Sequence, residues 1–182
     1  MYKRQDQEHV FSWSSGDTLR LWETETTRPI GQPLLHESGV AGATFSANNI
    51  HLLSWSGGLT SKDTASLRLW DAQTTQSIGQ PMRHIQGIVG AAFSKDQKRI
   101  LSWSRDGTLR LWDKETNQPV GQPMRHMQTV RGAAFSEDQT RILSWSNDNT
   151  ARLWNAQTTQ PIGQPMKHES IVDSAAFSSD QA

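Results

Sequence analysis

Histidine, serine and aspartate recur together along this 182-residue chain. His84, Ser102 and Asp106 form one set, and His126, Ser144 and Asp148 repeat it at the same spacing. Incomplete versions carry His36 and Ser54, and His168 and Ser12. Imidazole, hydroxyl and carboxylate are the inventory of acyl transfer, in which imidazole takes the serine proton and the carboxylate fixes the imidazole tautomer. That chemistry also requires one strained, exposed nucleophile facing an oxyanion hole. Here the set is repeated rather than singular, and its serine lies inside an alternating run, Arg99 to Ser104, that reads as the middle of a β-strand. The expectation is a structural use of these polar groups, with no catalytic residue.

The elements that position them come from an internal repeat. Phe45, Phe93, Phe135 and Phe177 are 48, 42 and 42 residues apart, and the Gly-Gln-Pro triplets opening at Gly31, Gly79, Gly121 and Gly163 keep the same intervals. A fixed period of this length means supersecondary units that bury their apolar faces only by stacking on neighbours. The six extra residues of the second copy fall within Gly57 to Ser66. In the third copy, Ile88 to Phe93 is a short apolar run closed by Ser94-Lys95-Asp96-Gln97, and Arg99 to Ser104 is a second run. Asp106-Gly107 is a tight hairpin turn, since glycine accepts the positive φ such turns need. Thr108 to Trp112 forms a third strand, and Gln118 to Met124, with its prolines, an edge strand. Four short antiparallel strands per copy, with the second apolar or small on both faces, require sheets stacked on both sides.

Composition excludes more than it selects. Lys plus Arg and Asp plus Glu both total 18, so no basic field points to nucleic acid or an anionic membrane, and Arg20, Arg68, Arg110 and Arg152 recur as a strand position would. With no cysteine there is no disulfide, thiol nucleophile or thiolate metal site. The repeat histidines are one per copy, and His9 and His51 have no ligand spacing around them, so neither metal nor cofactor is expected. No apolar run approaches the roughly 20 residues of a membrane span, and Met1 to Asp6 has no apolar secretion-signal centre. These features point to a soluble, cytoplasmic protein.

The pattern His126, Val130, Ala133, Phe135, Ser136, then Leu143-Ser144-Trp145-Ser146, Asp148 and Leu153-Trp154-Asn155 resembles the tryptophan-aspartate (WD) repeat of β-propellers. The resemblance spans nearly the whole chain. It departs from the family where the glycine before the histidine is Leu35, Arg83, Arg125 or Lys167, and where the closing aspartate is Glu23 or Asn155. The resemblance implies an all-β fold of four-stranded blades, in copies of about 36–83, 84–125 and 126–167, with 168–182 and 9–35 forming a blade divided between the two ends. It also implies that His84, Ser102, Asp106 and Trp112, and likewise His126, Ser144, Asp148 and Trp154, join in buried hydrogen-bond networks. Worn networks are implied for His36, Ser54 and Trp70 and for His168, Ser12 and Trp22, because Asp17 sits one residue nearer its tryptophan and Asp63 lies in the insertion.

The chain enters on a second strand, about His9 to Ser14, and leaves on a first strand, about Ile171 to Phe177. The expected closure is by two copies, a two-fold homodimer with eight blades, four from each chain; the alternatives are a four-bladed monomer and a piece of a longer array. Between copies, the loops after the phenylalanines are nearly alike, whereas the residue five after each histidine is Ala41, Val89, Arg131 or Asp173, and the residue before each turn aspartate is Gly16, Lys62, Arg105 or Asn147. The resemblance places these variable positions on the top face, where partners dock. The expected function is a non-catalytic scaffold binding another protein or peptide. The alternative is a lectin-like or small-ligand propeller, which predicts near-identical polar and aromatic pockets in every copy.

Overall fold

A computed structural model of the chain describes residues 9–14, 16–57 and 65–178. Among these, every regular element is a β-strand. β1 (His9–Trp13), β2 (Thr18–Glu23) and β3 (Pro29–Leu35) form a three-stranded sheet. β4 (Val40–Phe45), β5 (His51–Ser56), β6 (Ala65–Asp71) and β7 (Ser77–His84) form a four-stranded sheet in chain order. The same meander is repeated by β8 (Ile88–Phe93), β9 (Arg99–Ser104), β10 (Thr108–Asp113) and β11 (Pro119–Arg125), and by β12 (Val130–Phe135), β13 (Arg141–Ser146), β14 (Thr150–Asn155) and β15 (Pro161–Lys167). The four strands read from the third copy are present within a residue at each end. All pairings are antiparallel.

The local chemistry explains the shape of each sheet. The outermost strand must carry the prolines, two in β3, β11 and β15 and Pro81 alone in β7, which donate nothing to a ladder, so it sits at the edge and bulges. Leu109 pairs with Met124 and Leu111 with Val120, so the bulge takes up Gly121 at φ 68°. Gly107 turns the β9–β10 hairpin at φ 76°, and in the fourth copy Asn149 takes that role at φ 61°. Asparagine is among the few residues that enter this region readily.

Three apolar clusters lie between consecutive sheets and none joins the last described sheet to the first. Leu19, Leu21 and Leu34 pack on Leu52, Val40 and Trp70. Leu53, Leu67, Leu69 and Met82 pack on Ile88, Ile100 and Trp112. Leu101, Leu109, Leu111 and Met124 pack on Val130, Ile142 and Trp154. Each sheet therefore has a forward face, bearing the Met82-type residue, and a backward face, bearing the tryptophan of its third strand.

One expected strand is not formed. Residues 171–178 have no regular structure, and of them only Val172 is buried, its N–H directed to the Ser146 carbonyl at 3.4 Å. A first strand gains its ladder from the second strand of its own sheet, and among the described residues no such strand stands beside this segment. Among the described residues β1 correspondingly pairs on one side alone, with β2.

Candidate functional site

The meander places the β7–β8 and β9–β10 connections at one rim of the molecule, here the top, and the β8–β9 and β10–β11 connections at the other. His84 enters from the first of these connections and Asp106 from the second, so both converge on Ser102 in mid-strand. The hydrogen bonds run in one direction. Indole is only a donor, so Trp112 Nε1–H donates to Ser102 Oγ at 2.9 Å, and the Ser102 hydroxyl then donates to His84 Nε2 at 2.7 Å. His84 is left with its proton on Nδ1, facing Asp106 Oδ2 at 3.3 Å and Thr108 Oγ1 at 3.1 Å. Asp106 also accepts from the Ile85 and Thr108 amides, at 2.9 and 2.8 Å, and from the Thr108 hydroxyl at 2.6 Å. The fourth copy repeats this: Trp154 to Ser144 at 2.8 Å, Ser144 to His126 at 2.8 Å, and His126 Nδ1 to Asp148 Oδ2 at 3.0 Å.

Burial pushes the pKa of His84 and His126 below the usual imidazole value, so both are neutral near pH 7. Burial alone would raise the Asp106 and Asp148 carboxyls. For Asp106, hydrogen bonds from His84 and Thr108 outweigh it and hold the group well below the carboxylate range. For Asp148, the Thr150 hydroxyl, the Met127 amide and His126 bring it to about 2. Ser102 and Ser144 have no accessible surface, and each hydroxyl proton is already committed to a ring nitrogen. No substrate carbonyl reaches either serine, so the arrangement orders a core rather than attacking a bond.

The other two copies are plainer. His36 bonds Ser54 at 2.6 Å and Ser66 at 3.2 Å, with Trp70 donating to Ser54 at 2.8 Å. Burial first, and the Arg68 charge second, press His36 down to about 4. Asp63 and Lys62 lie outside the described residues. In the first sheet Trp22 donates to Ser12 at 2.8 Å, but no histidine completes the pair. Asp17 takes the backbone place of Gly107: its carbonyl accepts the His36 amide at 2.8 Å, as Gly107 accepts that of His126 at 2.8 Å. Its carboxylate accepts the Thr18 hydroxyl at 3.3 Å. His168 lies exposed after the last strand.

At the top rim, Gly16, Ala41, Val89, Arg105, Arg131 and Asp173 are exposed and Asn147 is half-buried. Three of them meet: Arg131 approaches Asn147 Oδ1 at 3.4 Å and Asp173 Oδ1 at 3.3 Å. Two exposed apolar residues stand on the same loops, Ile85 at 65% and Met127 at 87% exposure. Sequence reasoning passed over them because a single apolar residue after a histidine carries no periodic signal. Glu37, at the corresponding position of the second sheet, is clamped by both terminal nitrogens of Arg83 at 2.8 Å. The recurring arginines serve the scaffold, Arg68 and Arg110 lying 5.8 and 6.0 Å over Trp70 and Trp112.

The lower rim holds cavities at equivalent junctions. One, of about 570 Å³, is lined by His51, Gln97, Lys98, Asp113 and Glu115 among others. The next, of about 400 Å³, presents Arg99, Gln139, Thr140, Asn155 and Gln157 at the matching positions. Their charges differ at nearly every place, which is not the repeated pocket that a lectin-like reading requires. Among the described residues no cluster of three or more metal-ligating side chains occurs.

A set of inter-sheet latches was also missed. Thr75, at φ 58°, sits over Gly31 and accepts the Gln32 amide at 3.2 Å. Thr159 does the same for Gln122 at 3.0 Å, and Asn117 donates to the Ile78 carbonyl at 2.6 Å. A Cβ on Gly31 or Gly121 would stand 2.1 or 2.5 Å from the threonine hydroxyl. The signal was present in the sequence as the Gly-Gln-Pro triplets, which marked the period without revealing their partners.

Residues 77–113 and 117–155 match the family of WD40 repeats, described as WD domain, G-beta repeat. Among curated proteins none matches the chain. The crystal structure of the computationally designed Ika8 protein, in its crystal packing No.1 in P63, is similar with a TM-score of 0.78 at 21% identity. The match covers 97% of this chain and 51% of that one, so this chain spans about half the length of the designed propeller protein and shares its fold.

Proposed function

From a chain that carries WD40 repeats, we infer a non-catalytic scaffold that binds another protein or peptide at its top rim. WD40 repeats generally mediate protein–protein interaction scaffolding, and propellers of this kind are typically non-catalytic. The observation that carries the reading here is the Arg131–Asn147–Asp173 group beside the exposed Met127, set above the buried, hydrogen-bonded His84–Ser102 and His126–Ser144 pairs. Varied polar groups with apolar anchors on rigid loops are what recognition uses. Replacing Arg105 and Arg131 together by alanine is expected to weaken capture of a partner from cell extract while leaving the circular dichroism spectrum unchanged. Undiminished capture, or selective binding on a glycan array with none in the extract, overturns the assignment.

The reading includes an assembly of two copies in one ring of eight blades. Its support is the match of four sheets to about half of the designed propeller protein.

A further inference from the structure

The two end faces of the stack are chemically the halves of a fourth junction. On the forward face of the β12–β15 sheet, Met166 is 45% exposed, whereas its counterparts Leu34, Met82 and Met124 are each 1% exposed. On the backward face of the β1–β3 sheet, Val10 is 50% exposed where Leu52, Ile100 and Ile142 are fully buried. Each interior junction pairs one face of each kind, and each adds the same two polar devices. A threonine or asparagine at positive φ from the following sheet sits over the bulge glycine of the preceding one. A histidine leaving the preceding sheet bonds the mid-strand serine of the following one.

Both devices are present at the ends, divided between them. Gly163 has φ 69° and open space where a Cβ would go, while Gly31 and Gly121 are covered. Thr27 has φ 54° and donates to the Thr26 carbonyl at 2.7 Å, as Thr75 donates to Thr74 at 2.7 Å; it holds the latch geometry with no glycine beneath it. His168 is exposed, and Ser12 already receives Trp22. Two copies facing each other bring these pairs together twice under one two-fold axis.

A third feature points to the same pairing. In β4, β8 and β12 a glycine (Gly42, Gly90, Gly132) lies beneath the tryptophan of the neighbouring strand, with 2.2 to 2.5 Å from an added Cβ to the ring. The matching residue of the last segment is Ser174, whose Cβ leaves no such seat. Trp13, its counterpart, is stacked at 5.7 Å on Phe11, an aromatic residue where Leu53, Leu101 and Leu143 stand in the other sheets. The two departures are of the kind that compensate each other when residues 171–177 run beside β1 of a neighbouring chain.

We propose that the forward face of β12–β15 is a docking surface for a second copy of this chain, whose Thr27 seats over Gly163 and whose Ser12 bonds His168. This rests on the two-copy ring inferred above. Sedimentation equilibrium on the full chain tests both. Gly163→Asn keeps a residue that tolerates positive φ and whose Cβ meets nothing within 4 Å among the described residues, but fills the place of the incoming Thr27. It is expected to weaken the dimer about tenfold or more by overpacking, with the far-ultraviolet spectrum unchanged. Adding Thr27→Gly to the same chain is expected to restore much of the affinity, which a simple folding defect in Gly163→Asn would not allow. Dimers unaffected by Gly163→Asn overturn these contacts while leaving the ring standing. A monomer at every concentration, or growth beyond two copies, overturns the ring itself.

Discussion

Each buried serine stands between an indole that only donates and a ring nitrogen that accepts, so histidine must stay neutral for the chain of hydrogen bonds to hold. The types and spacing of His84, Ser102, Asp106 and Trp112 were legible in the sequence; the direction of the bonds was not, because it depends on which side chains face one another across two strands. The consequence is a definite pH dependence. His36 has its pKa lowered from 6.5 to about 4, so the unfolded chain takes up the proton first and folding stability falls as pH drops. Its contribution is complete above about pH 6.5 and is lost progressively towards pH 4, amounting to about 3 kcal/mol over that span. His84 and His126 act with the same sign. The carboxylates act lower: the share due to Asp148 is intact above its ordinary 3.8 and fades towards about 2. Urea unfolding at a series of pH values should therefore show loss of stability beginning near pH 6.5, and His36→Gln should flatten the early part of that loss. A flat profile down to pH 4.5 contradicts a buried, neutral His36.

At the scale of the element, the close approach of strand to indole decides which residue is allowed. A Cβ at position 132 would lie 2.2 Å from the Trp145 ring, so Gly132→Ala must displace an indole in the middle of a packed sheet. The expected loss is about 1–3 kcal/mol in a thermal or urea melt, in the range for overpacking. An effect near zero would mean that the ring is free to move. The strands themselves were readable, because alternation, the Asp-Gly turn and the paired prolines are all local signals. What was not readable is long-range. Nothing near Gly121 in sequence announces Thr159, and the segment 171–177 has the residues of a strand without a neighbour to pair with. Local preference sets where a strand can form, while a ladder partner decides whether it does.

For the whole molecule, stability is distributed as in other stacked repeats, a sum of sheet terms and nearest-neighbour interfaces. The β4–β7 and β8–β11 sheets each have two covered faces, the β12–β15 sheet one covered face and a full network, and the β1–β3 sheet one covered face, three strands and only the Trp22–Ser12 bond. Opening free energies should follow that order, since local unfolding is least costly where the fewest contacts are broken. Amide hydrogen exchange on the dilute protein is expected to be slowest in β9 and β10, faster in β13 and β14, and fastest in β1 and β2. If the end faces meet in a second copy, raising the protein concentration protects β1, β2, β14 and β15 and leaves β9 and β10 unchanged, because association stabilises only the conformations whose faces it covers. Exchange that is uniform along the chain at every concentration would instead mean that the four sheets open as one cooperative unit, and the nearest-neighbour account would fail.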